Sequence, residues 1–205
     1  MKFYPLFGLI IIFIIWFTYE RKKHEKDIEK NTQSFWDRDS EANSVRKVNL
    51  DTLTYISIPV DSLPFGRSND SVVTELEKTL LDLSEKRILN LTGKTTTDIK
   101  MMYGAANINT VTEYDNNYTL MVQTICALGN RLCELGLIDE AIAFLEFGID
   151  SLTDVSANYK LLCELYIKTN QPERLDFLKE TALKLDSLSK NLILRTIEES
   201  KSSIL

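Results

Sequence analysis

Four patterns of apolar and polar positions follow one another along the chain. Residues 3–19 read FYPLFGLIIIFIIWFTY, a run without a single charge. As an α-helix rising about 1.5 Å per residue it would reach roughly 25 Å, close to a hydrocarbon core of about 30 Å when its ends adapt. Tyr4, Trp16 and Tyr19 stand near its two ends, where amphipathic rings favour an interface, and Pro5 falls in the first turn, where its missing N–H does no harm. No small-residue cleavage site follows, so the pattern predicts a retained single-pass transmembrane anchor within residues 1–19. Residues 20–50 are strongly polar, with Phe35 and Trp36 the only large apolar pair, which predicts a helical stalk or linker. In residues 51–69 the stretch LTYISIPVDSLPFG alternates and carries Pro59 and Pro64, predicting an extended segment and a turn with one short strand.

From Asp70 the period becomes helical. Asp70 or Ser71 suits a helix cap, and Val72, Val73, Leu76, Leu80, Leu83 and Ile88 recur at three- and four-residue spacing. Glu75, Lys78, Asp82 and Glu85 mark the solvated face. A short helix is expected from Thr97 to Tyr103, stopped at Gly104, which completes pre-repeat helices over residues 70–115. Helical periodicity resumes after Asp115-Asn116-Asn117. It predicts two hairpins over residues 116–186, then a capping helix within 187–205 striped by Leu188, Leu192, Ile193 and Ile197.

The stretch CALGNRLCELGLIDEAIAFLEFGI resembles the tetratricopeptide repeat (TPR) through Leu128-Gly129, Leu132, Gly136, Ala141, Leu145 and Gly148. A second copy follows 34 residues later, the period of that family. Ile125 maps to Tyr159, Leu128 to Leu162, Gly129 to Cys163, Leu132 to Tyr166, Gly136 to Asn170 and Gly148 to Ala182. Cys163 keeps the crossing position small, and Asn170 is able to take the left-handed backbone of a turn glycine. Leu175 departs from the pattern where the first copy has Ala141, as does Ser187 where a closing proline is usual. The resemblance covers about a third of the chain. It implies an all-α, helical-hairpin repeat domain of about six helices behind the single N-terminal transmembrane helix.

In that family the first helix of each repeat lines a concave surface that accepts an extended peptide or a partner helix. The matching positions are Gln123, Asn130 and Glu134, then Lys160, Glu164 and Lys168, with Cys126 and Ile167 among them. Some members that bind chaperone tails clamp a terminal carboxylate with a lysine and an asparagine one turn apart. Here Asn130 supplies the asparagine, but Cys126 occupies the lysine position.

Charge and chemistry narrow the function further. A net charge of −6 and a pI near 5.0 disfavour nucleic-acid binding, which needs a basic surface. The lone histidine, His24, lies beside the apolar run, leaving no Ser-His-Asp or Cys-His arrangement. Asp139 and Glu140 fit the first turn of a helix, where carboxylates complement its dipole. Gly93-Lys94-Thr95 ends like a phosphate-binding loop, yet Ile88 stands where the first glycine belongs. Cys126 and Cys133, two helical turns apart, are separated by roughly 10 Å, beyond disulfide reach. No enzyme activity, cofactor, metal or small-molecule substrate is therefore expected. The positive charges Arg21, Lys22, Lys23, Lys26 and Lys30 outweigh Lys2 before the run, which predicts a cytoplasmic body. The combined expectation is a membrane-anchored adaptor or scaffold holding a protein partner in its groove, with an accessory subunit of a larger membrane complex as the alternative.

Overall fold

The computed structural model describes residues 4–203, with the side chains at 4–7 and 9–11 outside that description. Among the described residues there are eight α-helices and no strand. They are α1 (Tyr4–Ser44), α2 (Ser71–Ser84), α3 (Thr96–Tyr103), α4 (Ile108–Glu134), α5 (Ile138–Asp150), α6 (Ser156–Lys168), α7 (Arg174–Leu183) and α8 (Lys190–Ser202). Two compact units result: α1 with the segment Thr96–Ala106, and Asn49–Thr95 with everything from Asn107 onward.

In the first unit, the apolar run and the polar stretch behind it form one helix without a break. Between Gly8 and Pro59 the sequence holds neither glycine nor proline, so nothing interrupts the backbone ladder. Exposed pairs such as Arg21–Glu25 and Gln33–Asp37 add i,i+4 support. Among the described residues no helix is long and apolar enough to cross a membrane. The span expected at residues 3–19 includes Phe3 and several side chains that lie outside the described set. The C-terminal part of α1 packs on α3 through buried Ala42, with Asp39 bound to Lys100 at 2.9 Å and Arg38 to Asp98 at 2.6 Å. Gly104 ends α3 at φ +83°, where a Cβ would stand 2.8 Å from the Arg46 carbonyl oxygen.

The second unit holds the core. Asp70 caps α2, its carboxylate accepting the Val72 and Val73 N–H groups at 3.1 Å each. Val73, Leu80 and Leu83 are buried as expected, whereas Val72 faces solvent. Buried Glu77 was not anticipated. It accepts the Gly66 N–H with both oxygens, pinning the turn that follows Pro64. The expected strand shrinks to a single antiparallel bridge between Ile56 and Ile88. Pro59 lacks the N–H that a longer ladder would need.

Helix α4 runs straight through Asp115-Asn116-Asn117, where the sequence had indicated a boundary. These side chains do not cap a new helix. Asp115 accepts the Leu91 N–H at 2.9 Å and Asn117 donates to the Arg87 carbonyl at 3.0 Å, so they satisfy the backbone of the preceding loop. In that loop Gly93 adopts φ +80° and abuts Asp186, whose carbonyl oxygen would lie 1.9 Å from an added Cβ; Lys94 reaches the Asp186 carboxylate at 3.1 Å. Gly93 and Lys94 thus fasten the loop to the α7–α8 connection.

Helices α4–α5 and α6–α7 are two hairpins whose equivalent residues stand 34 apart. Their turns carry Gly136 at φ +79° and Asn170 at φ +56°, the left-handed conformation expected of both. Where α4 crosses α5, a Cβ on Gly129 would stand 2.8 Å from the Leu145 side chain, and one on Gly148 3.2 Å from Ile125. Cys163 takes the Gly129 position in the second hairpin and is fully buried. Tyr166 stacks beneath Arg174 and donates its hydroxyl to Glu146 at 2.6 Å, while Arg174 binds the same carboxylate. This trio joins the two hairpins.

The expected capping helix is α8, and it repeats the first-helix register a third time. Ile193 and Ile197 occupy the places of Tyr159 and Cys163 and are fully buried. Arg195 and Glu199 replace Leu161 and Leu165 and pair with each other at 3.7 Å, so the outward side of α8 is solvated, as the end of a stacked array requires.

Three glycines should respond differently to alanine. Gly136→Ala meets no neighbour and is expected to cost about 1 kcal/mol of backbone strain. Gly129→Ala should cost about 1–3 kcal/mol through overpacking against buried Leu145. Gly93→Ala combines a left-handed backbone with a contact to main chain that cannot swing away, and should be the worst of the three. Denaturant midpoints of the full-length variants check this order, and a harmless Gly93→Ala would contradict it.

Candidate functional site

The residues singled out by the repeat register lie on α4 and α6, the first helices of the two hairpins. Each helix buries one side: Ile125, Leu128 and Leu132 on α4, and Tyr159, Leu162 and Tyr166 on α6. Geometry at 3.6 residues per turn leaves Gln123, Asn130 and Glu134 on the open side of α4, and Lys160, Glu164 and Lys168 on that of α6. All six are exposed.

The two faces adjoin at Cys133. Burial raises its thiol above the ordinary cysteine range, while Lys168 lowers it and Glu164 raises it, so both α6 charges act on this α4 side chain. Cys126 is also raised by burial, and fully buried Cys163 is pushed up to about 11 by the same cause. All three thiols are therefore held protonated near neutral pH, the state of inert packing cysteines.

Partners within the fold occupy some of the six. Asn130 turns its amide back to the Cys126 carbonyl at 2.7 Å. With a cysteine in the lysine position and the asparagine so engaged, the carboxylate-clamping pair is not assembled. Glu134 binds Arg131 at 2.7 Å, and Arg131 binds Asp70 with two nitrogens, at 2.7 and 3.1 Å. Lys160 and Glu164 form only a loose, exposed i,i+4 contact at 4.0 Å, which holds neither firmly. Gln123 and Lys168 have no hydrogen-bond or ion-pair partner among the described residues, so their donors are the most available. The surface thus presents alternating charges, Glu134 and Glu164 against Lys160 and Lys168, around two half-buried thiols.

A second feature had no signal in the sequence. A cleft of about 240 Å³ is lined by Thr54, Ile56, Leu89, Asn90, Asp150, Ser151 and Leu152. Its wall is the α5–α6 connection, where Leu152 adopts φ +58° without being glycine. Asn90 donates to the Ser151 and Leu152 carbonyls at 3.3 Å each, holding that turn. Tyr118 donates to Ser151 from beneath at 3.2 Å. The polar groups here are spent on closing the end of α5. Among the described residues no cluster of His, Cys, Asp and Glu is arranged to hold a metal ion.

The Asp70–Arg131 pair gives this surface a pH dependence. The Arg131 guanidinium and the Val73 N–H hold the Asp70 carboxyl at about 2, below its ordinary 3.8. Because the folded chain binds this proton less readily than the unfolded one, the stabilisation is complete above about pH 4 and is lost as pH falls toward 2. Asp70→Asn should be less stable at neutral pH and should lose that part of the acid dependence, as read by denaturation at pH 7, 4 and 2.5. An unchanged acid profile would remove Arg131 from this role. No protein-family model, curated protein or solved structure matches the chain.

Proposed function

We propose that this chain is a membrane-anchored interaction module of the tetratricopeptide kind, which receives an extended peptide or a helix of a protein partner on the adjoining faces of α4 and α6. The observation that carries this reading is the contrast within each first helix. The positions that pack are buried in both hairpins, while three polar positions on each helix stay open, two of them at matching 34-residue intervals: Asn130 with Glu164, Glu134 with Lys168. The left-handed turns at Gly136 and Asn170 and the small residues at the helix crossings support the same assignment.

The alternating charges favour a partner segment that is itself of mixed charge, with an acidic group opposite Lys168. The anchor reading is supported by the uncharged run of residues 3–19 and by the exposure of Ile12, Phe13, Ile14, Ile15, Trp16 and Phe17 around α1. Exposed apolar area of that extent needs a nonaqueous or protein cover. The lysine excess behind the run supports a cytoplasmic body.

The combined variant Lys160→Glu/Lys168→Glu touches only exposed side chains, so its stability should stay within about 0.5 kcal/mol of the native chain. It should lose partners crosslinked to the native chain in membranes, whereas reversal of exposed Asp139 on α5 should keep them. Unaltered crosslinking in the first variant would sink the groove assignment. For orientation, a reporter joined behind Leu205 should read as cytoplasmic, and activity on the other side would reverse the topology.

A further inference from the structure

Beyond the apolar run, α1 sorts its charges by face. Successive residues advance by about 100° around an α-helix. Lys22, Lys26, Tyr19, Lys30 and Lys23 therefore fall, in that order, within one arc of roughly a quarter to a third of the circumference. Between residues 19 and 30 no acidic residue lies inside that arc; Asp37, about two turns beyond Lys30, is the first on that side. Glu29 and Asp27 flank it, and Glu20, His24, Ile28, Arg21 and Glu25 occupy the rest. The structure bears out the sorting. Arg21 pairs with Glu25 at 3.4 Å and His24 approaches Glu20 at 3.9 Å, both outside the arc. Lys22, Lys23, Lys26 and Lys30 are all exposed and form no ion pair among the described residues. Tyr19, Lys22, Lys23 and Lys26 together line a shallow recess of about 230 Å³.

We infer that this arc binds the anionic headgroups of phospholipids, so that α1 selects negatively charged lipid around it as well as entering the bilayer. The inference rests on the anchored reading given above, because the recess begins where the apolar run ends. Four charge-matched features point to headgroups. The lysines start about one and a half turns, roughly 8 Å, beyond Trp16 and Phe17, and the headgroup layer is about 5–8 Å thick on each side of the hydrocarbon. Lys22, Lys23 and Lys26 lie within about 6 Å of one another along the axis. Lysine stems are long and apolar enough to lie along a helix while their ammonium groups extend to phosphate oxygens. Tyr19 at the centre of the arc is the aromatic type that settles at this depth. A basic arc on one side of a helix also gives a tilt direction, since the lysine side is drawn toward the surface.

The test uses the full chain with Trp36→Phe, which leaves Trp16 as the only tryptophan. It is reconstituted into vesicles of phosphatidylcholine alone or with about one third phosphatidylserine, an anionic lipid of the kind that attracts basic segments. Flotation with the neutral vesicles reads the anchor. Energy transfer from Trp16 to trace labelled phosphatidylserine, compared with labelled phosphatidylcholine, reads the local lipid. Severalfold greater enrichment of the anionic probe is expected in low salt, collapsing near 1 M salt and in the variant with Lys22, Lys23, Lys26 and Lys30 all changed to Gln. If the chain floats with neutral vesicles but shows no anionic preference, or if the four-lysine variant keeps it, the inference falls and the anchor stands. If the chain is recovered only with anionic vesicles and the variant is not, the arc stands and the anchor falls. Recovery with neither overturns both.

Discussion

The repeat unit depends on how closely two helices approach at Gly129. A Cβ there would intrude on the buried Leu145 side chain, and Gly148 plays the reciprocal part toward Ile125. Small residues on both helices let the backbones come near enough for Leu128, Leu132, Phe144 and Ile149 to interdigitate at core density. The second hairpin solves the same problem with Cys163 and Ala182, both fully buried. Once that approach is fixed, the angle between first and second helix is fixed too. Which residues of α4 and α6 remain open follows from it.

Stacking then has to be made to start and stop. At the start, α2 lies against α4, held by the Asp70 cap and its bond to Arg131. One aspartate therefore serves both the local helix end and the long-range contact. At the far end α8 keeps the buried register of a first helix but presents Arg195 and Glu199 outward. Lys179–Glu198 and Lys201–Asp176 tie it to α7 with exposed ion pairs, which fix orientation more than they add stability. The loop at Gly93 reaches Asp186 and links the beginning of this unit to its end.

The candidate surface is a by-product of this economy. Its two half-buried thiols are raised by burial, and part of its polar complement is turned inward to Arg131 or the Cys126 carbonyl. Lys168 and Gln123 are its least committed donors. Helix α1, by contrast, concentrates its uncommitted charge on one arc, a pattern suited to a uniformly charged surface.

The sequence by itself determined the local events. Asp70 as a cap, Gly104 as a stop, Gly136 and Asn170 as left-handed turns, and the 34-residue register all depend on side chains acting on their own backbone or on a near neighbour. The repeat resemblance named the positions of the candidate site, and the same register placed the core faces of α4 and α6. Only the tertiary structure decided where Asp115, Asn117, Lys94 and Glu77 spend their polar groups, because their partners are 11 to 92 residues away. For the same reason the continuity of α4 and the left-handed Leu152, held by Asn90, could not be read from spacing. A residue's conformational preference is local, but whether its hydrogen bonds go to its own helix or to a distant loop is settled by what the fold brings beside it.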